Sequence, residues 1–336
     1  MKVVILVIIL MIIAFNADAQ DYQTSNVQYL SLLHNPALVA LNNEVEASVS
    51  YRSQWKKANA AFKTLGASFS STLQPKRRQG KGYLATGVNL YKQQVNNLAS
   101  TLSISLSTAY HLKLTKTSTL SMGIQLGYFG KQLNAEDGMW EVQHNGFEYD
   151  PSISSGENFN RANTGGFDSG AGMVYTFKKR KVNLLQLGFA MYHLNKTKTS
   201  FLQNGRSRLP IRTSVFGSFS IPIGKKGAYI ETKVIYQNQN KFSSLIIGAI
   251  AKIKLSEKAK TTSSISKLNE FYAGFGVYVR NKDAAIFNVL LQKSNWTAAF
   301  SYDLTTSSFK QANYGQGAVE IQLWYTIPSF QRKSHF

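Results

Sequence analysis

The sequence predicts an all-β protein, a transmembrane antiparallel β-barrel of about 14 strands. Three observations carry that prediction. Runs of period-two alternation recur along the chain, one face apolar and the other made of Ser, Gly, Gln, Asn and charge. The runs last roughly 10 to 14 residues, enough to cross a bilayer at a tilt and longer than the ~5–6 residues of ordinary strands. Beyond the first residues there is no stretch of 18 apolar residues. A helical span is therefore excluded, and only a closed barrel satisfies its own backbone in lipid.

The N-terminus supplies the compartment. Lys2 is followed by the apolar run Val3 to Phe15 and by Ala17-Asp18-Ala19, the layout of a secretory signal peptide with a small-x-small cleavage site. Residues 1–19 are expected to be removed, leaving 20–336 as a single barrel domain with a short N-terminal periplasmic segment. The chain has no cysteine, which closes off disulfides, thiolate metal sites and cysteine nucleophiles. The formal net charge is +21. An exported chain with no recognition helix or zinc finger is not expected to bind nucleic acid. Anionic lipid head groups or an acidic protein partner fit that charge better.

The strands can be placed one by one. Leu102, Ile104, Leu106, Tyr110 and Leu112 alternate with Ser103, Ser105, Ser107 and His111; after a short turn Leu120, Met122, Ile124, Leu126 and Tyr128 alternate with Ser121, Gly123, Gln125 and Gly127. Such a pair reads as a hairpin with one lipid face and one lumen face. The same beat places strand starts near 44, 62, 81, 98, 117, 167, 181, 210, 227, 241, 269, 283, 294 and 315. With both ends of the chain in the periplasm, the longest connection, 132–166, becomes an extracellular loop. It carries Glu136, Asp137, Glu141, Glu148, Asp150 and Glu157 against Arg161. The opposite turns hold Lys76, Arg77, Arg78, Lys81, Lys178, Lys179, Arg180, Lys181, Lys225 and Lys226. The expectation is a basic periplasmic side and an acidic outer side.

Candidate sites are few. Asn35-Pro36-Ala37 reads as a turn on the periplasmic side that leads into the first strand, since Pro fixes φ and Asn favours turns. No Gly-x-Ser-x-Gly elbow occurs, and His111 and His193 lie on different strands with no carboxylate at a telling spacing, so no catalytic site is expected. The acids of the long loop lack a calcium-loop spacing. Glu44, Glu46, Arg52 and Glu320 are expected to face the lumen, lining an open pore or cross-linking a plugged one. Gln54 and Trp55 would end the first strand at the outer interface, where Trp is favoured.

Several segments, taken in order, resemble a known family. They are "NPALVA" with "YRSQW" and "FKTLGASFSS", then "FDSGAGMVY" (167–175), "YHLNK" (192–196), "LPIRTSVFGSF" (209–219), "FSYDLTTSSF" (300–309) and "GAVEIQLWY" (317–325). This set resembles the PorP/SprF family, outer-membrane proteins associated with the type IX secretion system of Bacteroidetes. The chain departs from the family pattern at Phe62, where a Pro commonly precedes the Lys63-Thr64 pair. It departs again around Asn89 to Gln93, where an Asn-Asp step is absent, and at Val319, where a His is common. The resemblance implies an outer-membrane barrel that assists secretion or surface anchoring of client proteins, such as adhesins with a C-terminal secretion signal, and that can serve gliding motility. Its implied partners are other type IX components in the periplasm and outer membrane, the secreted or surface-anchored client, and outer-membrane lipid. It implies no cofactor and no catalytic or metal-binding residue. Asn35, Pro36, Arg52, Gln54, Trp55, Lys63, Tyr302, Asp303, Gly317 and Glu320 are the family-motif or partner-contact candidates. The alternative is a general diffusion porin or solute channel.

Overall fold

A computed structural model describes residues 21–27, 31–57, 61–74, 81–134, 141–150, 152–154, 163–179, 182–201, 205–223, 228–255 and 271–328. Fourteen strands, β1 (Asn43–Gln54), β2 (Phe62–Thr72), β3 (Gly82–Val95), β4 (Ala99–Lys113), β5 (Ser118–Leu133), β6 (Asn163–Lys179), β7 (Val182–Tyr192), β8 (Arg212–Ile223), β9 (Ala228–Gln239), β10 (Phe242–Lys254), β11 (Phe271–Arg280), β12 (Ala284–Lys293), β13 (Trp296–Thr305) and β14 (Gln316–Pro328), follow one another around a closed barrel. Every neighbouring pair is antiparallel, and β1 closes on β14 with Arg52 opposite Glu320. Closure leaves no open sheet edge among these strands, which lipid requires.

Side chains sort as the alternation demands. Val49, Tyr51, Leu65, Phe69, Val88, Leu106 and Ile124 stand exposed on the outer wall, while Ser50, Arg52, Ser70, Asn89, Ser105, Ser107 and Ser121 are buried within. A water-soluble sandwich would show the opposite arrangement. Here the apolar face points outward, the arrangement found in barrels that span a membrane. The end of the barrel where β1 begins and β14 finishes carries mostly short connections and is the turn end. The other, the loop end, carries the connection from β5 to β6, and within it a short 3-10 turn (Glu141–Gln143) precedes a tight turn at Asn145–Glu148.

The expected signal peptide lies outside the described residues, as do Glu136, Asp137 and Glu157 of the long loop and Lys76, Arg77, Arg78, Arg180, Lys181, Lys225 and Lys226 of the turns. One expectation is corrected. The described residues before β1, 21–27 and 31–41, do not hang below the barrel as a periplasmic lead-in, and Asn35-Pro36-Ala37 is not a turn at its rim. Both lie inside the lumen, because Pro36, Ala37, Leu38, Val39, Ala40 and Leu41 form an apolar run that is buried there and would be wetted outside.

Candidate functional site

Eight strands make a barrel whose own side chains just fill it, and fourteen leave a wider bore. The described residues 21–27 and 31–41, here called the strap, occupy that bore. The strap starts at the loop end, where Asp21 meets the ends of β7, β8 and β9 through His193, Arg212 and Gln239. It finishes at the turn end, where the Val39 carbonyl lies 2.8 Å from His111 Nε2 and the Leu41 carbonyl accepts from the Tyr83 hydroxyl. Between these points lie a one-turn helix, Ser31–His34, and a 3-10 turn, Pro36–Leu38.

Asn35 fixes the middle of the strap to the wall. Its Oδ1 accepts from the Ala37 amide at 2.9 Å, capping the 3-10 turn, while Nδ2 donates to the carbonyls of Met173 on β6 and Phe189 on β7 at 3.0 and 2.9 Å. The approach is possible because the facing wall residues are glycines. A Cβ added to Gly123 would lie 2.6 Å from the Ala37 amide nitrogen, and one on Gly172 would collide with Asn35 Oδ1. Around this wedge Val27, Ala37, Leu38 and Leu41 pack with Val174, Phe216, Ile235, Ile246, Tyr278 and Ile286 in an apolar cluster inside a mostly polar lumen.

Two polar clasps hold the outer half of the strap. In the first, Arg52 pairs with Asp303 at 3.0 Å and with Glu320 at 3.2 Å, and Arg280 pairs with Asp303 at 3.2 Å and Asp283 at 2.9 Å. Glu320 accepts from the Thr24 hydroxyl at 2.6 Å and the Ser25 amide at 2.8 Å, and the Ser25 hydroxyl takes Arg52 and Arg280. Asn288 donates to the Ser25 carbonyl at 3.2 Å. Buried charge is tolerated only when paired and hydrogen-bonded, and the strap supplies part of that pairing.

The second clasp centres on His193, which lies beyond the end of β7. Its ring nitrogens sit 2.7 Å from Asp21 and 2.8 Å from Asp168, and Arg212 reaches Asp21 at 3.1 Å. Burial opposes charge on the imidazole, but Asp21 and Asp168 outweigh it and hold its pKa up to about 9. At neutral pH both ring N–H groups therefore donate. Arg212 also stacks on the Tyr192 ring, 4.3 Å from its centroid, and donates to the Leu33 carbonyl.

Above the strap the loop end opens into a recess of about 510 Å³. Tyr22 and Gln23 line it from the strap, Gln54, Trp55 and Phe62 from β1 and β2, and Phe242, Ser244, Arg280 and Lys282 from β10 and the β11–β12 hairpin. Trp55 adopts φ +56, a left-handed backbone that costs a bulky residue ~1–3 kcal/mol. It is held there by its amide on the Gly317 carbonyl at 2.8 Å and by ring contacts with Phe62 and Phe309.

The segments that carry the family resemblance converge on the strap. Arg52, Asp303 and Glu320 meet in the first clasp, Asp168, His193 and Arg212 in the second, and Asn35-Pro36-Ala37 is the wedge. The sequence profile of the family described as type IX secretion system membrane protein PorP/SprF matches residues 16–325. The chain belongs to the PorP/SprF family. Its barrel is similar to the toluene transporter TbuX of Ralstonia pickettii, with 11% identity, a TM-score of 0.49 and coverage of 89% of this chain and 93% of that one. It is similar also to the toluene transporter TodX of Pseudomonas putida (10% identity, TM-score 0.48, coverage 93% and 96%) and to a FadL homologue of Pseudomonas aeruginosa (10%, 0.47, 87% and 92%). A comparison with curated protein sequences found no match.

In this PorP/SprF chain the ten candidate positions separate by place. Arg52, Asp303 and Glu320 are buried and ion-paired inside the barrel, so they cannot touch a partner outside it. Asn35 and Pro36 are buried with the strap. Gly317 is a packing glycine, since an added Cβ would lie 2.7 Å from the Asp303 carbonyl oxygen. Tyr302 is half-buried, and Lys63 is exposed at the loop end of β2. Gln54 and Trp55 alone among the ten line the recess. Sequence reasoning missed Asp21, Thr24, Ser25, Asp168, Arg212 and Arg280. The signal for Asp168, Arg212 and Arg280 was a lumen-facing charge with no counter-charge at the paired strand positions, and Asp21, Thr24 and Ser25 gave none.

The charge expectation is also corrected. Acid on the loop side is concentrated in the connection between β5 and β6. The other loop-end connections carry Lys56, Lys57, Lys196, Lys198, Arg206, Arg208, Lys241, Lys282 and Lys310, against Asp283, which is bound by Arg280.

Proposed function

We propose that this barrel sits in the outer membrane with its turn end in the periplasm and its loop end outside, and that it assists secretion or surface anchoring of client proteins without catalysing a reaction. Its partners on this reading are periplasmic and outer-membrane type IX components and a secreted or surface-anchored client, with adhesins of gliding motility among the candidates. The observation that carries the reading is the filled lumen. In a chain of a type IX secretion family, a strap held by two ion clusters and an apolar wedge leaves the barrel to work through its two ends. A diffusion porin needs an open aqueous bore, and the strap lies across the place where one would run.

Deleting the gene tests this directly. Cognate surface proteins should fall from the cell surface, accumulating in the periplasm or appearing free in the medium, and should return on complementation. If those proteins remain exported and attached in the deletion strain, the reading is wrong. Purified full-length protein in planar bilayers should be electrically quiet, whereas steady conductance would favour the porin.

A further inference from the structure

We propose that the loop-end recess is a binding site for an extended acidic polypeptide segment that seats an aromatic or large aliphatic side chain against Trp55 and Phe62. The proposal rests on the client-handling reading above and assigns the surface that does the handling. Its size is right for such a ligand, since about 510 Å³ falls within the range of ~300–1,000 Å³ typical of ligand sites. Its chemistry is mixed in the manner of peptide recognition: Trp55, Phe62 and Phe242 offer ring faces, and Gln23, Gln54 and Gln93 carry amides that can pair with an extended backbone.

Two further observations point to a ligand. Ser244, which lines the recess, has a buried hydroxyl with no hydrogen-bond partner, and the Nε of Arg280 is likewise buried and unpartnered. The surrounding charge then selects the sign of the occupant. Lys282 lines the recess, and the exposed Lys56, Lys57, Lys241 and Lys310 adjoin Trp55, Phe242 and Phe309 in sequence. Two carboxylates also line the recess, and both are answered by cations: Asp283 by Arg280 at 2.9 Å, and Asp21 by His193 at 2.7 Å and Arg212 at 3.1 Å. An acidic segment is attracted to this rim and a basic one repelled.

The test uses the full chain in lipid nanodiscs and fluorescein-labelled synthetic hexapeptides read by anisotropy. The acidic peptide with a central phenylalanine should bind saturably at one site, at least tenfold tighter than a basic peptide with the same centre. The Lys56→Glu/Lys282→Glu variant should weaken it at least tenfold, while Lys116→Glu at the turn end should leave it unchanged. Trp55→Ala should weaken both peptides. Equal binding of acidic and basic peptides, an unchanged affinity in the charge-reversed variant, or no saturable binding would each overturn the site. So would saturable binding of maltohexaose in place of the peptide, which would assign the recess to a glycan. If the peptides fail while the gene deletion still strips clients from the surface, only the recess is lost. If the peptides bind and the deletion strain keeps its surface proteins, the peptide site stands and the client-handling role does not.

Discussion

Glu320 accepts from the strap at Thr24 and Ser25 and faces Arg52 at 3.2 Å, so one side chain joins β14, β1 and the strap. Removing its counter-charge leaves two buried carboxylates, Glu320 and Asp303, short of a partner. Breaking a buried ion pair from one side costs about 3–5 kcal/mol. Arg52→Ala should therefore lower the free energy of unfolding, read from urea titrations in detergent, by an amount in that range, with Arg52→Lys losing less because the charge stays. An Arg52→Ala barrel as stable as the parent would remove the clasp from the account of stability. His193 gives a second residue-level test with a defined sign. Its pKa is raised from 6.5 to about 9, so its pairing with Asp21 and Asp168 contributes fully below about pH 6.5 and is lost as pH rises through 9. The temperature of barrel unfolding should fall between pH 7 and pH 10 in the parent, and this fall should flatten in His193→Asn. Groups other than residue 193 are common to parent and variant, so the difference between their two pH profiles reports the imidazole.

At the scale of elements, the strands were legible and the strap was not, for separate physical reasons. Alternation is a local signal, and the predicted strand starts match the observed ones to within two residues except at β6. That strand begins at Asn163 and not near 167, because Asn163-Thr164-Gly165-Gly166 offers no apolar residue for the pattern to register. The strap has no period to read. Its order comes from partners far along the chain: Asn35 bonds β6 and β7 at sequence separations of 138 and 154, and Thr24 bonds Glu320 at 296. What the sequence did display was the consequence at each end: an apolar run from Pro36 to Leu41 too greasy for a wetted leader, and inward charges at Arg212 and Arg280 with no counter-charge at the paired strand positions. Trp55 was marked as an interface residue, while its left-handed backbone and its place beside the recess depend on Gly317 and Phe309 across the barrel rim and could not be read from "YRSQW".

At the scale of the whole molecule, the barrel and the strap solve one problem between them. Fourteen strands enclose more space than inward side chains fill, and here the inward faces are largely Ser, Thr and Asn, which fill little. Without the strap, Arg52, Arg280, Asp303 and Glu320 would line a water-filled bore, where charge is well solvated and the wall remains a closed antiparallel sheet. The barrel should thus survive loss of the outer half of the strap while its electrical behaviour changes. A chain lacking residues 21–27 but keeping the wedge Asn35–Leu41 should still shift its gel mobility on heating, as a folded barrel does, and should show more conductance in planar bilayers than the quiet parent. Removing residues 21–41 should raise it further, because the wedge narrows the bore at the level of Gly123 and Gly172. Folded but silent truncations would mean that something other than the strap closes the lumen, and conductance in the untruncated chain would mean that the strap does not close it at all.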